Sequence, residues 1–295
     1  DDKLSVSGST VPSQVSIDGS VHLGAYIRRK GDDIRAGERV LVSGRKLTPV
    51  AIGVLAALGI SLVNVACKPK VAILATGDEL VDIDSILGPG QIRNSNSYSL
   101  ISLVRDAGGE ALNLKVAQDT VESVQSKLKL AVEHGVDLIL TSAGVSVGAK
   151  DVVRMVIDQA GELVFWKVNM SPGKPLVFGQ YDDTPLLGLP GNPVSSIIAF
   201  EVFARPSILK LAGHANLQRT TLPVRLLESV ETDGRETYFR AVVARDPNSD
   251  EFVARSAGGQ GSHMMQTLVQ ANALVIIPAG REHMHSGEVL YAWML

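Results

Sequence analysis

The sequence predicts a three-layer, doubly wound α/β domain followed by a small C-terminal β domain, a barrel or a sandwich, with a partial N-terminal segment ahead of both. Three observations carry this. Between residues 69 and 213, short apolar runs alternate with amphipathic helical stretches, the pattern of a largely parallel sheet covered on both faces. Beyond residue 219 the pattern changes to short strand-like runs separated by Asp233-Gly234, Asp246-Pro247-Asn248 and Ala279-Gly280 turns. Residues 1–68 are polar and turn-rich at first, and hold too little apolar material for a core of their own. The expected division is therefore 1–68, 69–213 and 214–295.

Within 1–68, Val15-Ser16-Ile17-Asp18 alternates as an edge strand would, and Arg28-Arg29-Lys30-Gly31-Asp32-Asp33 reads as a charged loop. Val50–Cys67 carries no charge and reaches the length at which a membrane span is considered. Gly59, Ser61 and Asn64 divide it: Thr48-Pro49 opens a helix, Val50–Leu58 fills it, and Gly59 ends it. Ile60–Val65 then reads as a short strand. In the α/β portion, Val71–Leu74, Ala111–Val116, Val136–Thr141, Leu163–Val168, Leu176–Phe178 and Pro185–Leu187 are the strands. Ser97–Ala107 is a helix with Leu100, Ile101, Val104 and Ala107 on one face, stopped by Gly108-Gly109. Asp119-Thr120-Val121-Glu122 reads as a capping box for a helix with Val121, Val124, Leu128 and Ala131 inward. Another helix runs from Asp151 to about Ala160, and a long one from Val194 is expected to kink near Pro206. The strands of the C-terminal β domain are Leu222–Leu226, Tyr238–Arg245, Phe252–Arg255, Ala273–Ile277 and Val289–Trp293.

Bulk composition narrows the function. Charged residues are 20% and the net charge is −3, so neither a nucleic-acid footprint nor a polybasic membrane patch is present. The lone Cys67 excludes an intramolecular disulfide framework and fits a reducing, cytoplasmic setting; beside an apolar strand it reads as a small buried hydrophobe. There is no nucleophile elbow, no HExxH and no paired CxxC. His283-x-His285 reads as a solvated turn in preference to a metal pair. The first residue is Asp, not Met, and a preceding segment is expected.

Ligands of open α/β sheets sit outside the carboxyl ends of the strands, and four loops fall there. Ala75-Thr76-Gly77-Asp78-Glu79-Leu80 offers adjacent carboxylates, suited to a divalent cation or to a solvated turn. Gly90-Gln91-Ile92-Arg93-Asn94-Ser95-Asn96 offers amides for a heterocycle edge, with Ser95 or Asn96 also able to cap the next helix. Thr141-Ser142-Ala143-Gly144-Val145-Ser146-Val147-Gly148 can cup a phosphate with backbone N–H groups, although it is neither a Walker A loop nor a GxGxxG. Asp151 beyond it caps a helix, binds a ring nitrogen or orients a metal-bound water. The fourth feature pairs Ser171-Pro172-Gly173-Lys174-Pro175 with Leu189-Pro190-Gly191-Asn192-Pro193-Val194-Ser195. These are stiff turns that combine a cation with Ser195 and free amides at the Val194 helix start, as an anion site would.

These loops, taken in order, resemble the molybdopterin molybdenumtransferase family, the MoeA and gephyrin E-domain type. The likeness extends through Arg28–Gly37 and Gly258-Gly259-Gln260-Gly261-Ser262-His263. It implies a MogA-like molybdopterin-binding domain, a C-terminal β-barrel domain, an N-terminally truncated chain and a homodimer. It also implies insertion of molybdate into adenylylated molybdopterin (molybdopterin-AMP) with release of AMP, assisted by Mg2+. By resemblance the catalytic set is Glu79, Asp151, Lys174 and, reaching a partner subunit, Asp33, with Glu79 and Asp151 on the metal. Molybdate would meet Lys174, Ser195, Arg240 and Ser262 in a pocket shaped by Pro190 and Pro193. The pterin nucleotide would meet Asn96, Asp119, Ser142, Gly144, Ser146, Gly148 and Asn192.

Two departures from the family pattern stand out. Ser171 replaces a lysine at the molybdate loop, which weakens oxyanion attraction. Ala143 replaces a glycine, which is tolerable only at negative φ. The alternatives are a non-catalytic molybdopterin-binding scaffold, which Ser171 favours, and the related adenylyltransferase. The β domain and the Pro-Gly-Asn-Pro loop argue against the latter.

Overall fold

The computed structural model describes residues 19–20, 22–144 and 151–295, so the edge strand expected at Val15–Asp18 lies outside the described residues. The chain divides into two units, Asp1–Val42 and Ser43–Leu295. In the first, the described residues form turns without helix or strand. The charged loop is one of them: the Arg29 N–H donates to Asp32 Oδ2 at 2.6 Å and the Asp32 N–H donates to the Arg29 carbonyl at 3.2 Å.

The second unit begins with α1 (Pro49–Ala57), opened as its sequence predicts. Thr48 Oγ1 accepts the Ala51 N–H at 3.2 Å and Pro49 fills the first position, where no N–H is needed. Its end is a Schellman closure, with Gly59 N–H donating to the Ala56 carbonyl and Ile60 N–H to that of Leu55. The strand expected at Ile60–Val65 does not form. Residues 60–69 have no sheet partner, and Leu62 and Val65 are 90% and 66% exposed. Cys67 is exposed with them, not buried, because the strand that was to shelter it is absent. No helix among the described residues is long and apolar enough to cross a membrane.

Strand β1 (Lys70–Thr76) is buried along all but its first residue and outlasts its apolar core by Ala75 and Thr76. The two-residue strands β2 (Leu80–Val81) and β3 (Ile92–Arg93) pair with each other and lead into α2 (Ser95–Asp106). Strand β4 (Glu110–Ala117), helix α3 (Val121–Glu133) and strand β5 (Leu138–Ser142) follow. The α3 cap sits one residue later than the expected capping box. Thr120 Oγ1 accepts the Ser123 N–H at 3.2 Å, and Ser123 Oγ returns the favour to the Gln118 N–H at 3.1 Å. Serine therefore takes the place expected of Glu122. Helix α4 (Val152–Ala160), β6 (Gly161–Trp166), β7 (Met170–Ser171), β8 (Val177–Tyr181) and β9 (Thr184–Leu189) come next.

The six-stranded sheet runs β4-β1-β5-β9-β8-β6, parallel from β4 to β9 and antiparallel beyond. Helices α3 and α4 cover one face through Val124, Leu128, Val153 and Ile157. On the other face lie α2 and the segment that follows β9, through Leu100, Val104, Phe200 and Ile208. Each such side chain, fully buried, contributes about 1.5–3 kcal/mol. The order reverses between β1 and β5, so the switch-point crevice opens beyond their C-terminal ends.

The helix after β9 is broken in three: α5 (Pro193–Ala199), a π-helical turn (Phe200–Ala204) and α6 (Arg205–Leu211). Pro206 has no N–H for the carbonyl four residues back, and the widened turn just upstream keeps that carbonyl clear of the ring. The turn also buries Glu201, whose two oxygens accept from Arg219 Nε at 2.9 Å and Nη2 at 3.0 Å. This bidentate pair ties the helix to the segment entering the barrel.

Strands β10 (Thr221–Leu226), β12 (Glu236–Arg245), β13 (Phe252–Ser256), β14 (Ala273–Ile277) and β16 (Val289–Met294) close on themselves as β13-β10-β16-β14-β12-β13. The sequence missed β11 (Val230–Glu231), which pairs with β15 (His283–Met284), and α7 (Gln266–Gln270). It also missed that β7 leaves the α/β sheet and lies parallel to the start of β12. Met170, Val194, Ile198, Tyr238 and Leu274 form a separate apolar cluster that joins α5 to the barrel.

Candidate functional site

A cleft of about 470 Å³ opens at the switch point. It is lined by Glu79 and Leu80 after β1, by residues 92–96, by Ser142-Ala143-Gly144 after β5, and by Pro175. Residues 190–193 and Ser195 close the remaining side. All four loops singled out in the sequence contribute.

Asn94 lines the cleft but is also committed to the helix start. It, and not Ser95 or Asn96, caps α2: Oδ1 accepts the Ser97 N–H at 3.2 Å and Nδ2 donates to Ser97 Oγ at 2.9 Å. Asn96 spans the crevice, with Nδ2 donating to Ser142 Oγ and to the Gly191 carbonyl, each at 2.8 Å. Gly144 sits at φ +70, and a Cβ there would fall 2.7 Å from Val153 Cγ2 and 2.9 Å from Thr76 Oγ1, so only glycine fits. Ala143 is at φ +71, contrary to the expectation of negative φ. The loop holds it there, with its N–H donating to the Leu189 carbonyl at 3.1 Å. Ser146 and Gly148 lie outside the described residues.

The expected acidic residues occupy different environments. Glu79 lies on the cleft wall with its carboxylate folded over Gly77. Asp151 caps α4, accepting the Arg154 N–H at 3.4 Å, and is 6% exposed with Oδ2 unpartnered. Burial pushes its carboxyl up to about 6. Asp119 is exposed outside the cleft lining, and its N–H donates to Asp78 Oδ1 at 3.2 Å. Asp33 is an exposed turn residue of the first unit. Among the described residues no three His, Cys, Asp or Glu side chains form a metal-sized group. His283 is exposed and 3.9 Å from Glu231.

Of the residues expected on molybdate, Pro190, Pro193 and the buried Ser195 line the cleft. Lys174 is exposed on the turn beside Pro175. The amides at the start of α5 are partly taken, since Val194 N–H donates to the Ser262 carbonyl at 3.2 Å and Ser196 N–H to that of Asn192 at 2.9 Å. Asn192 makes no helix cap, and its Nδ2 donates to Ser262 Oγ at 3.0 Å. Arg240 is wholly buried in β12. Nη2 donates to the carbonyls of Gly259 at 2.9 Å and Gly261 at 3.2 Å, while Nε and Nη1 have no partner. Desolvation by burial lowers its pKa from the ordinary arginine value. Leu80 and Pro175, at the ends of two loops read from the sequence, line the cleft without having been given a role of their own there.

Fold and cleft together define a doubly wound α/β protein with a cleft at its switch point and an appended closed barrel. Three family models match the chain: a probable molybdopterin binding domain at residues 72–210, the MoeA C-terminal region (domain IV) at 223–295, and the MoeA N-terminal region (domain I and II) at 5–59. Molybdopterin molybdenumtransferase 2 of Mycobacterium tuberculosis is 37% identical over 279 residues, which cover 92% of this chain and 68% of the relative. Molybdopterin molybdenumtransferase 1 of the same organism is 35% identical over 277 residues, covering 90% and 64%. The crystal structure of a molybdopterin biosynthesis MoeA protein from Pyrococcus horikosii superposes with a TM-score of 0.76 at 29% identity, covering 90% of this chain and 64% of that one. The chain belongs to the molybdopterin molybdenumtransferase family. It spans 64% of the length of molybdopterin molybdenumtransferase 1.

Proposed function

We propose that this chain carries a molybdate-insertion site, which binds molybdopterin-AMP and molybdate and releases AMP as the molybdenum cofactor forms. The observation that carries the reading is the convergence of the 142–144, 190–195 and 92–96 loops on one cleft at the switch point. Rigid hydroxyl and amide donors there suit phosphate and pterin. The reaction needs an oriented oxyanion and dithiolene, not a protein nucleophile, and none of the sequence signatures of one is present. In this reading Ser142, Gly144, Asn96 and Asn192 hold the pterin nucleotide, as do Ser146, Gly148 and Asp119. Ser195, Pro190 and Pro193 frame molybdate, with the charges of Lys174 and Arg240 and the hydroxyl of Ser262 in support. The division into 1–68, 69–213 and 214–295 is part of the same proposal.

Magnesium fits this donor set in one respect. The buried, unpartnered Oδ2 of Asp151 is a hard oxygen acceptor that lacks a partner, and Glu79 offers another on the cleft wall. Asp151 and Glu79 would hold the ion, which would neutralise phosphate charge. A homodimer in which Asp33 reaches the partner's cleft completes the proposal, together with a cytoplasmic setting. The test is AMP release: the chain, given molybdopterin-AMP, molybdate and magnesium, is expected to release AMP in proportion to cofactor formed. Failure to bind either substrate would refute the assignment. Ser171 favours a second reading, since this residue sits in β7 where the family carries a cation at the molybdate loop. A binding scaffold would hold the pterin nucleotide without releasing AMP.

A further inference from the structure

We propose that Gln260 is a positioning residue that sets the cleft's 190–194 loop from the barrel side. Pairing of β13 with β12 ends at Ser256, opposite Ala241; the Ala257 N–H still donates to the carbonyl of the next β12 residue, Arg240, at 3.0 Å, but the Arg240 N–H meets no strand acceptor on that side. The Gln260 carboxamide takes the place of one. Oε1 accepts the Arg240 N–H at 3.0 Å, and Nε2 donates to the Arg240 carbonyl at 3.1 Å and to the Gly258 carbonyl at 3.0 Å. A single side chain thus pins both the strand and its own loop. From beneath, Arg240 Nη2 holds the carbonyls of Gly259 and Gly261.

The next residue after this doubly tethered loop is Ser262. Its carbonyl receives the Val194 N–H, and its hydroxyl receives the Asn192 carboxamide. Asn192 lines the cleft between Gly191 and Pro193. The path from Gln260 to the cleft wall is therefore a continuous set of hydrogen bonds through backbone that three glycines would otherwise leave loose. Without the carboxamide, Gly258, Gly259 and Gly261 give the loop many conformations, and Ser262 no longer presents both groups at once.

The test compares the full chain with Gln260→Met, which keeps the volume and loses the hydrogen bonds, and with Gln260→Glu, which keeps an acceptor for the Arg240 amide. Hydrogen exchange at the Val194 and Arg240 amides is the first readout. Both are expected to exchange roughly tenfold faster or more in Gln260→Met, with Gln260→Glu between, while amides of β10 and β16 keep their protection. Unchanged exchange at Val194, or faster exchange at Arg240 alone, would overturn the proposal. The second readout rests on the molybdate reading: calorimetric molybdate affinity is expected to fall about fivefold in Gln260→Met, the value of roughly one hydrogen bond. In an Asn192→Ala background the same change is expected to have little further effect. Additive losses would show that Gln260 acts by another route. Wild-type chain that binds no molybdate, with Val194 exchange still accelerated in Gln260→Met, would refute the functional assignment and support the positioning role.

Discussion

Replacing Ala143 with glycine removes a methyl group from a backbone held at φ +71, where an L residue pays for its Cβ. The left-handed region costs a non-glycine residue about 1–2 kcal/mol. Alanine recovers about 0.4–1 kcal/mol by restricting the unfolded chain. Little apolar contact is lost, because Ala143 is only half-buried and its methyl faces Gly191 across the mouth of the cleft. The balance favours Ala143→Gly by roughly 0.5–1 kcal/mol, which in a unit of this size raises Tm by about 1–4 °C. Calorimetric or fluorescence-monitored melting reads this directly, with urea titration giving the free energy. A fall in Tm would refute the reasoning, since it would mean that the methyl packs better than its backbone position costs. The reciprocal change, Gly191→Ala, places a Cβ 3.2 Å from that of Ala143 and is expected to narrow the cleft and weaken ligand binding.

Three further outcomes are expected. Asp151→Asn keeps a capping side chain and removes a buried charge. The folded-state pKa is raised from 3.8 to about 6, so the stabilising contribution of the protonated acid is complete below about pH 4 and lost as pH rises through 6. In magnesium-free buffer the variant is therefore expected to match wild type near pH 4 and exceed it in urea titrations above pH 7, by up to about 3 kcal/mol. Gly144→Ala forces a methyl against Val153 and Thr76 at positive φ and is expected to cost about 2–3 kcal/mol, with loss of pterin binding in a fluorescence titration. Glu201→Gln leaves Arg219 and Arg205 without their carboxylate in a half-buried setting and is expected to cost about 2–4 kcal/mol, measured as a shifted urea midpoint.

What the sequence made legible was what local chemistry decides. Thr48-Pro49 and Gly59 bound α1 as read, because a cap and a C′ glycine act within one turn. The strands and the inward faces of α2 and α3 followed from periodicity, and the cleft-forming loops from their glycines and prolines. Ile60–Val65 has the composition of a strand but no neighbour to pair with, and a strand exists only by pairing. The α3 cap was misplaced by one residue because Asp119 and Thr120 are both good caps, and the choice depends on where the chain leaves β4. At the site, Asn94 and Asn96 look alike in sequence, yet one is spent on a helix start and the other bridges two loops. The contact of Gln260 with Arg240 was illegible because Gln260 lies in the loop after β13 and its partner lies twenty residues back, on β12.

The short β7–β12 ladder has a consequence for how this protein can be divided. Met170 and Ser171 lie parallel to Glu236 and Thr237, so the barrel carries a backbone edge covered by a segment that lies in the chain between β6 and β8 of the other sheet. A barrel expressed by itself would present those unpaired peptide groups to solvent and to other copies, an invitation to strand exchange and aggregation. The α/β portion, severed, would lose the cover on its Met170 and Val194 surface in turn. The two modules are thus separate in topology but not in solubility, and domain-swapped or chimeric forms would need to carry the 170–171 strand along with the barrel it completes.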